Sequence, residues 1–207
     1  MPPDPYQAQE IYHSRPPTLP NSALRFCGLH GPNCASSQGK DDGSYAMPTR
    51  IRQAQPQDAA AIARIANSLI RDTLFTFTTK ERSPEEIAMR LRDNKTPFLV
   101  AEIEGRVLGF ATYGPFRGGP GYRHTQEHSI QLTQAAQGRG LGRALMQRLE
   151  EAAHHNDVHV LVAGISGANL NAVAFHAAIG FTPSGHMAQV GHKWGQWLDL
   201  ILMQKQL

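Results

Sequence analysis

The segment Gln137–Gly142, with the sequence QGRGLG, has the composition of a loop that binds phosphate groups. Glycine lets the backbone turn so that several N–H groups converge on one point. A helix that follows adds unpaired N–H groups and the positive end of its dipole, and the combination suits a pyrophosphate. Arg139 and Arg143 supply cationic groups at the rim. We therefore predict a pyrophosphate-binding turn rather than a tight turn without a ligand.

The spacing of the glycines excludes two common nucleotide-binding loops. A dinucleotide fingerprint requires a glycine where Arg143 stands, and a P-loop requires Gly-Lys-Ser or Gly-Lys-Thr at the start of the helix. Neither pattern is present. The turn is therefore expected to bind a ligand that carries a pyrophosphate, but as neither a dinucleotide-binding loop nor a P-loop.

The segments around this turn predict the elements that hold it in place. Leu141, Leu145 and Leu149 repeat every four residues, which predicts an amphipathic helix after the glycines. The run Glu127–Thr133 alternates as a strand before the turn, and Val158–Gly164 is an apolar run typical of a strand buried on both faces.

The remaining patterns complete the order β-α-α-β-β-β-α-β-α-β-β. Ser83–Glu86 is a capping box that starts the second helix, and Glu104–Arg106 joins two apolar runs into a hairpin. Asn169–Ile179 reads as a helix that ends before Gly180. Because three strands follow one another directly and later ones alternate with helices, the chain is predicted to be α/β, with a mixed sheet and helices on both faces.

The composition restricts the class of protein. The 207 residues contain two cysteines and 20 Lys+Arg against 17 Asp+Glu, so neither a disulfide scaffold nor a strongly basic nucleic-acid-binding surface is indicated. No apolar run reaches the ~18–20 residues of a membrane span. We expect partners to include no nucleic acid and no membrane.

The chain divides near Met47. Residues 1–46 hold seven of the fourteen prolines and no sustained apolar periodicity, so we predict a disordered or non-native N-terminal extension before a domain at 47–207. Cys27, His30 and Cys34 offer three metal ligands in the extension, but no fourth follows nearby. We therefore expect no metal.

Beyond the glycine turn, several motifs in order resemble the Gcn5-related N-acetyltransferases (GNAT), in particular the phosphinothricin and methionine sulfone (sulfoximine) N-acetyltransferase branch. Gln137-x-x-Gly140-x-Gly142 is similar to the family's acetyl-CoA pyrophosphate signature. The similarity covers about Arg50 to Leu207 and includes Gly114–Arg117, Gly121–Thr125, Glu127–Ser129, Val162–Ile165, His176, Gly180-Phe181 and Val190–Asp199.

The resemblance implies a GNAT-like mixed, mostly antiparallel sheet flanked by helices on both faces, with acetyl-CoA as co-substrate and no metal. It implies that the strand before the turn pairs through its backbone with the pantetheine arm. Asn169 matches a cofactor contact and could equally cap the following helix. The implied cofactor-binding residues are Ile130, Gln131, Leu132, Gln137, Gly138, Arg139, Gly140, Leu141, Gly142, Arg143 and Asn169.

The resemblance also implies the chemistry. The enzyme would transfer an acetyl group from acetyl-CoA to the amino group of a small amino-acid-like acceptor, of the phosphinothricin, methionine sulfoximine or methionine sulfone type. Direct attack in a ternary complex would use Glu127 as general base, with His176 assisting, because the attacking amine must be unprotonated. The acceptor would be held by Phe77, Gly121, Tyr122 and Arg123.

Two residues depart from the branch, and two other functions stay open. Gln131 stands where the branch usually has Tyr and Thr78 where it has an acidic residue, and both could alter acceptor specificity. The alternatives are a protein or peptide N-acetyltransferase of the same fold and a non-catalytic acyl-CoA-binding module. The resemblance implies a homodimer, and the two cysteines suit a reducing compartment, so we expect a cytoplasmic homodimer.

Overall fold

A computed structural model describes residues 49–93 and 95–207 of the chain. The predicted extension at 1–46 lies outside the described residues, as do Cys27, His30 and Cys34. The disorder predicted for the extension and the domain boundary at residue 47 therefore stay predictions.

The described residues form seven strands and four helices in the predicted order. The strands are β1 (Thr49–Gln53), β2 (Phe98–Ile103), β3 (Arg106–Pro115), β4 (Thr125–Leu132), β5 (Val160–Ser166), β6 (Thr182–Lys193) and β7 (Gln196–Gln206). The helices are α1 (Ala59–Asp72), α2 (Pro84–Asp93), α3 (Leu141–His155) and α4 (Leu170–Ala178). None of these four helices is long and apolar enough to cross a membrane.

The strands form one mixed sheet in the order β1-β2-β3-β4-β5-β7-β6. Every neighbouring pair is antiparallel except β4 and β5, which are parallel. One core cluster joins α1 and α2 to Phe98, Val100 and Phe110, and a second joins α3 to residues of β2, β3 and β5. The predicted mixed, mostly antiparallel sheet with helices on both faces is confirmed.

Local sequence signals explain how the helices begin. The Ser83 hydroxyl accepts a hydrogen bond from the Glu86 N–H, and the Glu86 carboxylate accepts one from the Ser83 N–H, each at 3.1 Å. This reciprocal pair satisfies two N–H groups that the helix itself leaves unpaired. On α3, Leu141, Leu145 and Leu149 are fully buried, as their spacing predicts.

The run Val158–Gly164, predicted to be a strand buried on both faces, departs from that expectation at three residues. The strand begins only at Val160, which is partly buried, and His159 before it is exposed. β5 is buried at five of its seven positions, but Gly164 is exposed. The reason is topological, because β4 and β5 separate at this level of the sheet. The exposed glycine therefore lies at the edge of the candidate site.

Candidate active site

A gap opens in the middle of the sheet between two adjacent parallel strands. β4 and β5 pair only over the first four residues of β4, Thr125 to His128. Beyond that point β4 remains paired with β3 as far as Leu132, and β5 remains paired with β7 as far as Ser166. The second half of β4 therefore presents one unpaired backbone edge to the gap.

The antiparallel pairing with β3 determines which backbone groups face the gap. The Thr133 N–H donates to the Leu108 carbonyl at 2.8 Å, so Thr133 and Gln131 belong to the residues whose backbone groups point toward β3. The alternate residues Ile130 and Leu132 then direct their N–H and C=O groups toward the gap. These groups can hydrogen-bond an amide-bearing ligand as an added strand would.

The glycine turn lies between this strand and α3. Gly138 and Gly140 both have φ of +72°, a conformation that a residue with a side chain rarely adopts, and a Cβ at either would meet no atom within 4 Å. Gly140 is the N-cap of α3, and no described side chain caps that helix. The first N–H groups of α3 therefore remain available to an anion, in keeping with the predicted pyrophosphate turn.

Gly142 has a different role from the two glycines before it. A Cβ at Gly142 would stand 3.2 Å from Leu132 on β4 and 3.2 Å from the Phe175 ring on α4. The glycine therefore lets the first turn of α3 approach both elements closely. Arg139 and Arg143 are exposed beside the turn, and Arg143 Nη2 donates to the Ala178 carbonyl at 3.3 Å.

Glu127 projects from β4 into the cavity at the gap, which has a volume of about 190 Å³. No described residue forms a hydrogen bond or ion pair with its carboxylate. The side chain keeps part of its surface open to solvent, yet the burial of the rest raises the pKa of the Glu127 carboxyl above the ordinary value. An unpartnered carboxylate with a raised pKa in a cavity has the properties of a general base.

Two histidines form the wall of the same cavity. His128 and His176 are buried, and their Nε2 atoms lie 3.0 Å apart. His128 Nδ1 lies 3.0 Å from the Val162 carbonyl, and His176 Nδ1 lies 2.7 Å from the Ala172 carbonyl. Burial lowers the pKa of both imidazoles, so at neutral pH both rings are held in the neutral form.

The structure brings several predicted cofactor and catalytic residues to one place. Asn169 caps α4, since its Oδ1 accepts a hydrogen bond from the Ala172 N–H at 3.1 Å, and it also lines the cavity. The Gln131 carboxamide oxygen is buried there without a hydrogen-bond partner among the described residues. The predicted residues on the cavity wall are Glu127, Ile130, Gln131, Asn169 and His176.

The predicted acceptor residues lie elsewhere in the chain. Arg123 donates from Nε to His124 Nε2 at 2.6 Å and lines a separate cavity of about 540 Å³. Tyr122 is exposed and packs edge-on against Phe116. Phe77 packs on Gly191, where a Cβ would stand 2.6 Å from its ring. Gly121, Tyr122, Arg123 and Phe77 are not on the wall of the Glu127 cavity, and their acceptor-binding role stays a prediction.

Sequence reasoning missed the residues that complete the cavity. Phe75 and Thr76, in the segment between α1 and α2, line it beside Leu69. Lys193 fixes this segment, because its Nζ donates to the carbonyls of Thr73 and Thr76 at 2.8 and 3.0 Å. The Lys193 side chain is almost completely buried, and burial lowers its pKa.

No simple sequence signal reveals this role of Lys193. A lysine is usually exposed, and nothing in the pattern around residue 193 indicates that its ammonium group reaches carbonyls 117 and 120 residues away. Ser166 acts on the same segment, since its hydroxyl donates to the Leu74 carbonyl at 2.7 Å. Among residues 49–93 and 95–207, no group of three or more His, Cys, Asp or Glu side chains is placed as metal ligands would be.

Comparison with known proteins gives relatives that match about three quarters of the chain. Residues 62–181 match the acetyltransferase (GNAT) family. The chain is 41% identical over 162 residues to the L-methionine sulfoximine/L-methionine sulfone acetyltransferase of Salmonella typhimurium, covering 76% of this chain and 94% of that protein. It is 33% identical over 163 residues to the phosphinothricin N-acetyltransferase of Alcaligenes faecalis, covering 76% and 82%.

Solved structures share the fold. A Salmonella typhimurium acetyltransferase solved with its cofactor acetyl-CoA is 38% identical, with a TM-score of 0.74 over 77% of this chain and 94% of that one. The ribosomal-protein-alanine N-acetyltransferase of Brucella melitensis is 41% identical, with a TM-score of 0.73 over 76% and 99%. With the match to the family and the shared arrangement of the sheet, the chain belongs to the GNAT family of acetyltransferases and is an acyltransferase.

Proposed function

We propose that this chain transfers the acetyl group of acetyl-CoA to the amino group of a small amino-acid-like acceptor, of the phosphinothricin, methionine sulfoximine or methionine sulfone type. The amine attacks the thioester directly in a ternary complex. Glu127 acts as general base, and His176 assists. Neither a metal nor a covalent enzyme intermediate is part of the proposal.

The position of Glu127 is the observation that carries the proposal. The carboxylate has no partner among the described residues, its pKa is raised by burial, and it projects into the cavity that the gap between β4 and β5 forms. An amine bound there can lose its proton to this carboxylate, directly or through a water molecule. The backbone groups of Ile130 and Leu132 face the same gap, where they can hold the pantetheine arm.

The proposed cofactor site also suits the pyrophosphate part of acetyl-CoA. The uncapped N-terminus of α3 and the positive-φ glycines Gly138 and Gly140 suit a pyrophosphate, and Arg139 and Arg143 are exposed beside them. Asn169 retains the two amide hydrogens of its side chain for a ligand while its oxygen caps α4. The proposed contacts are those predicted from the sequence.

The size and polarity of the cavity support a small acceptor. Its volume of about 190 Å³ is small, and polar side chains, including the Glu127 carboxylate and Asn169, line its wall. Relatives at 41% and 33% identity act on methionine sulfoximine or sulfone and on phosphinothricin, as their names state.

A thermal-shift screen tests the proposed acceptor class. With acetyl-CoA alone the melting temperature should rise, and the desulfo-CoA form of the cofactor can then be combined with each amino-acid analogue without turnover. Stabilisation grows with ligand concentration over its dissociation constant, so methionine sulfone, methionine sulfoximine or phosphinothricin should stabilise the complex further. If only peptides stabilise it, the proposed acceptor class is wrong.

A second candidate is acetylation of a protein N-terminus. One structural relative at 41% identity is named a ribosomal-protein-alanine N-acetyltransferase, which favours this alternative. A peptide acceptor requires an open groove, and the small Glu127 cavity favours a free amino acid instead. Acetylation of peptides but not of free amino acids would support the alternative.

We also propose that the enzyme is a cytoplasmic homodimer. β6 is exposed along most of its length, and the hairpin of β6 and β7 carries four exposed large apolar side chains, Met187, Val190, Trp194 and Trp197. An exposed strand with apolar side chains is a surface that proteins usually cover. Light scattering on the purified protein should give twice the mass of one chain, and a monomer would contradict the proposal.

A further inference from the structure

A continuous row of four polar groups runs through the wall of the Glu127 cavity. It begins at the Val162 carbonyl, passes through both nitrogens of His128 and both of His176, and ends at the Ala172 carbonyl. The three contacts measure 3.0 Å, 3.0 Å and 2.7 Å along the row. Each imidazole therefore uses both of its nitrogens.

The number of protons available does not match the number of contacts. A carbonyl oxygen only accepts, so each Nδ1 must carry a hydrogen to bond its carbonyl. A neutral imidazole carries one hydrogen, which leaves both Nε2 atoms bare and facing each other at 3.0 Å. Two neutral rings thus supply two protons for three contacts. One further proton, placed between the two Nε2 atoms, completes the row.

The surroundings of the pair favour one positive charge at most. Burial, and secondly a charge on His176, lower the pKa of His128 to about 3. Burial also lowers the pKa of His176, while the hydrogen bond to Ala172 opposes this effect. The rings pack against Phe175 and Phe181, which offer no charge. A second extra proton on the pair would put two positive charges next to each other in these apolar surroundings, which is unfavourable.

The ionisable groups on neighbouring elements are bonded to other groups, while the Glu127 carboxylate, on the same cavity as the pair, has no partner among the described residues. On β7, Lys205 lies 6.0 Å from the Phe181 ring centre and is paired with Glu150 of α3 at 2.7 Å. On β3, Tyr113 stands opposite His128, and its hydroxyl accepts a hydrogen bond from Asn156. Arg143 of α3 bonds the Ala178 carbonyl. On β5 and α4, Val160–Ser166 and Leu170–Ala178 contain no charged side chain apart from His176 itself.

We propose that His128 and His176 act as one unit that binds a single proton between their Nε2 atoms, with His128 as the positioning residue. This inference rests on the proposed function for its catalytic use. When an amine is acetylated, the nitrogen loses a proton and the departing thiolate sulfur gains one. Glu127 first takes the proton from the amine and passes it to the pair, which lines the same cavity, and the pair then gives it to the thiolate, so the protein gains and loses none overall.

Nuclear magnetic resonance of the histidine side chains tests the inference without reference to activity. In the ¹⁵N-labelled full-length protein, both rings should keep a hydrogen on Nδ1, and both Nε2 signals should change in one common transition. That transition should take up one proton, with an apparent pKa below the ordinary 6.5. Two separate transitions, or no transition before the protein unfolds, would overturn the proposal.

A variant separates proton binding from packing. His128→Phe keeps an aromatic ring against His176 and Phe181 but removes both nitrogens. The common transition should disappear, and the pKa of His176 should fall by about one unit or more, because its Nε2 loses the partner that shares the charge. His154→Phe, an exposed position at the end of α3, is the matched control and should change neither signal.

The kinetic outcome distinguishes this inference from the proposed function. His128→Phe should lower kcat by about tenfold or more while the KM for acetyl-CoA stays unchanged. If the pair titrates as described but kcat does not fall, the catalytic use of the proton is wrong. If His176 titrates in His128→Phe as it does in the wild type, His128 has only a packing role and the proposed sharing of a proton is wrong. That result would leave the proposed role of Glu127 as general base untouched.

Discussion

The carboxylate of Glu127 lies directly over Gly164 of the neighbouring strand, so closely that a Cβ at Gly164 would stand 2.7 Å from Oε1. Gly164 is exposed because β4 and β5 separate at this level, and the absent side chain leaves the space that the carboxylate occupies. The position of the proposed base therefore depends on a residue that carries no functional group itself.

Substitution of Gly164 should displace the proposed base. Gly164→Ala forces Oε1 away from its present position, because 2.7 Å is shorter than a carbon and an oxygen in contact allow. We expect kcat to fall about tenfold to a hundredfold with little change in the KM for acetyl-CoA, since misplacement of a catalytic group by about 1 Å has effects of this size.

A glycine on the opposite strand provides the matched control for this change. Gly114 of β3 stands opposite Glu127 in the sheet, and a Cβ there would meet nothing within 4 Å. Gly114→Ala should leave kcat within a factor of about two. Equal losses in Gly114→Ala and Gly164→Ala would show that the contact with Glu127 is not the cause.

The raised pKa of Glu127 predicts the pH dependence of the reaction. The base works only when ionised, so kcat/KM falls as the pH falls through its pKa, and the midpoint of this acid limb lies above 4.5. In Glu127→Gln the limb assigned to this residue should disappear, and kcat should fall about 10²- to 10⁴-fold. Calorimetry should show unchanged binding of acetyl-CoA. Full activity in Glu127→Gln would remove this residue from the mechanism.

The glycine turn should be sensitive to any side chain at Gly140. Gly140→Ala places a Cβ on a residue with φ of +72°, at a cost of about 1–2 kcal/mol, and the backbone relieves the strain by turning the N–H groups at the start of α3. The KM for acetyl-CoA should rise about tenfold. Gly105→Ala, at φ of +73° in the hairpin of β2 and β3, should lower the melting temperature similarly without changing that KM.

Lys193 should govern the binding of the acceptor through the segment that it holds. Lys193→Met keeps the apolar length of the side chain but leaves the carbonyls of Thr73 and Thr76 without their donor. Because Phe75 and Thr76 line the Glu127 cavity, the KM for the acceptor should rise about tenfold, more than the KM for acetyl-CoA. Lys80→Met, at an exposed lysine, is the control and should change neither KM.

The sequence predicts those parts of the fold that local rules control. The capping box at Ser83 and Glu86 begins α2 as predicted, because its two hydrogen bonds involve residues three positions apart. The glycine turn and the leucines of α3 follow local periodicity in the same way. In such features the interacting residues are only a few positions apart in the chain, so the sequence alone shows which residues meet.

Contacts between distant segments escape that reasoning. Lys193 donates hydrogen bonds to the segment between α1 and α2, although it lies more than 100 residues away in the chain. His128 and His176, which are in contact, are 48 residues apart. Neither partner of such a pair carries a local pattern that indicates the other. Arg123, predicted to hold the acceptor, lies on a different cavity from Glu127 for the same reason, since sequence order does not determine which side chains share a cavity.

The most direct test of the account measures the release of free CoA thiol from acetyl-CoA in the presence of methionine sulfone, methionine sulfoximine or phosphinothricin. Mass spectrometry of the product identifies the acetylated amino group. We expect turnover with at least one of these acceptors, N-acetylation of its α-amino group, and loss of that turnover in Glu127→Gln. Absence of thiol release with all three acceptors would contradict it.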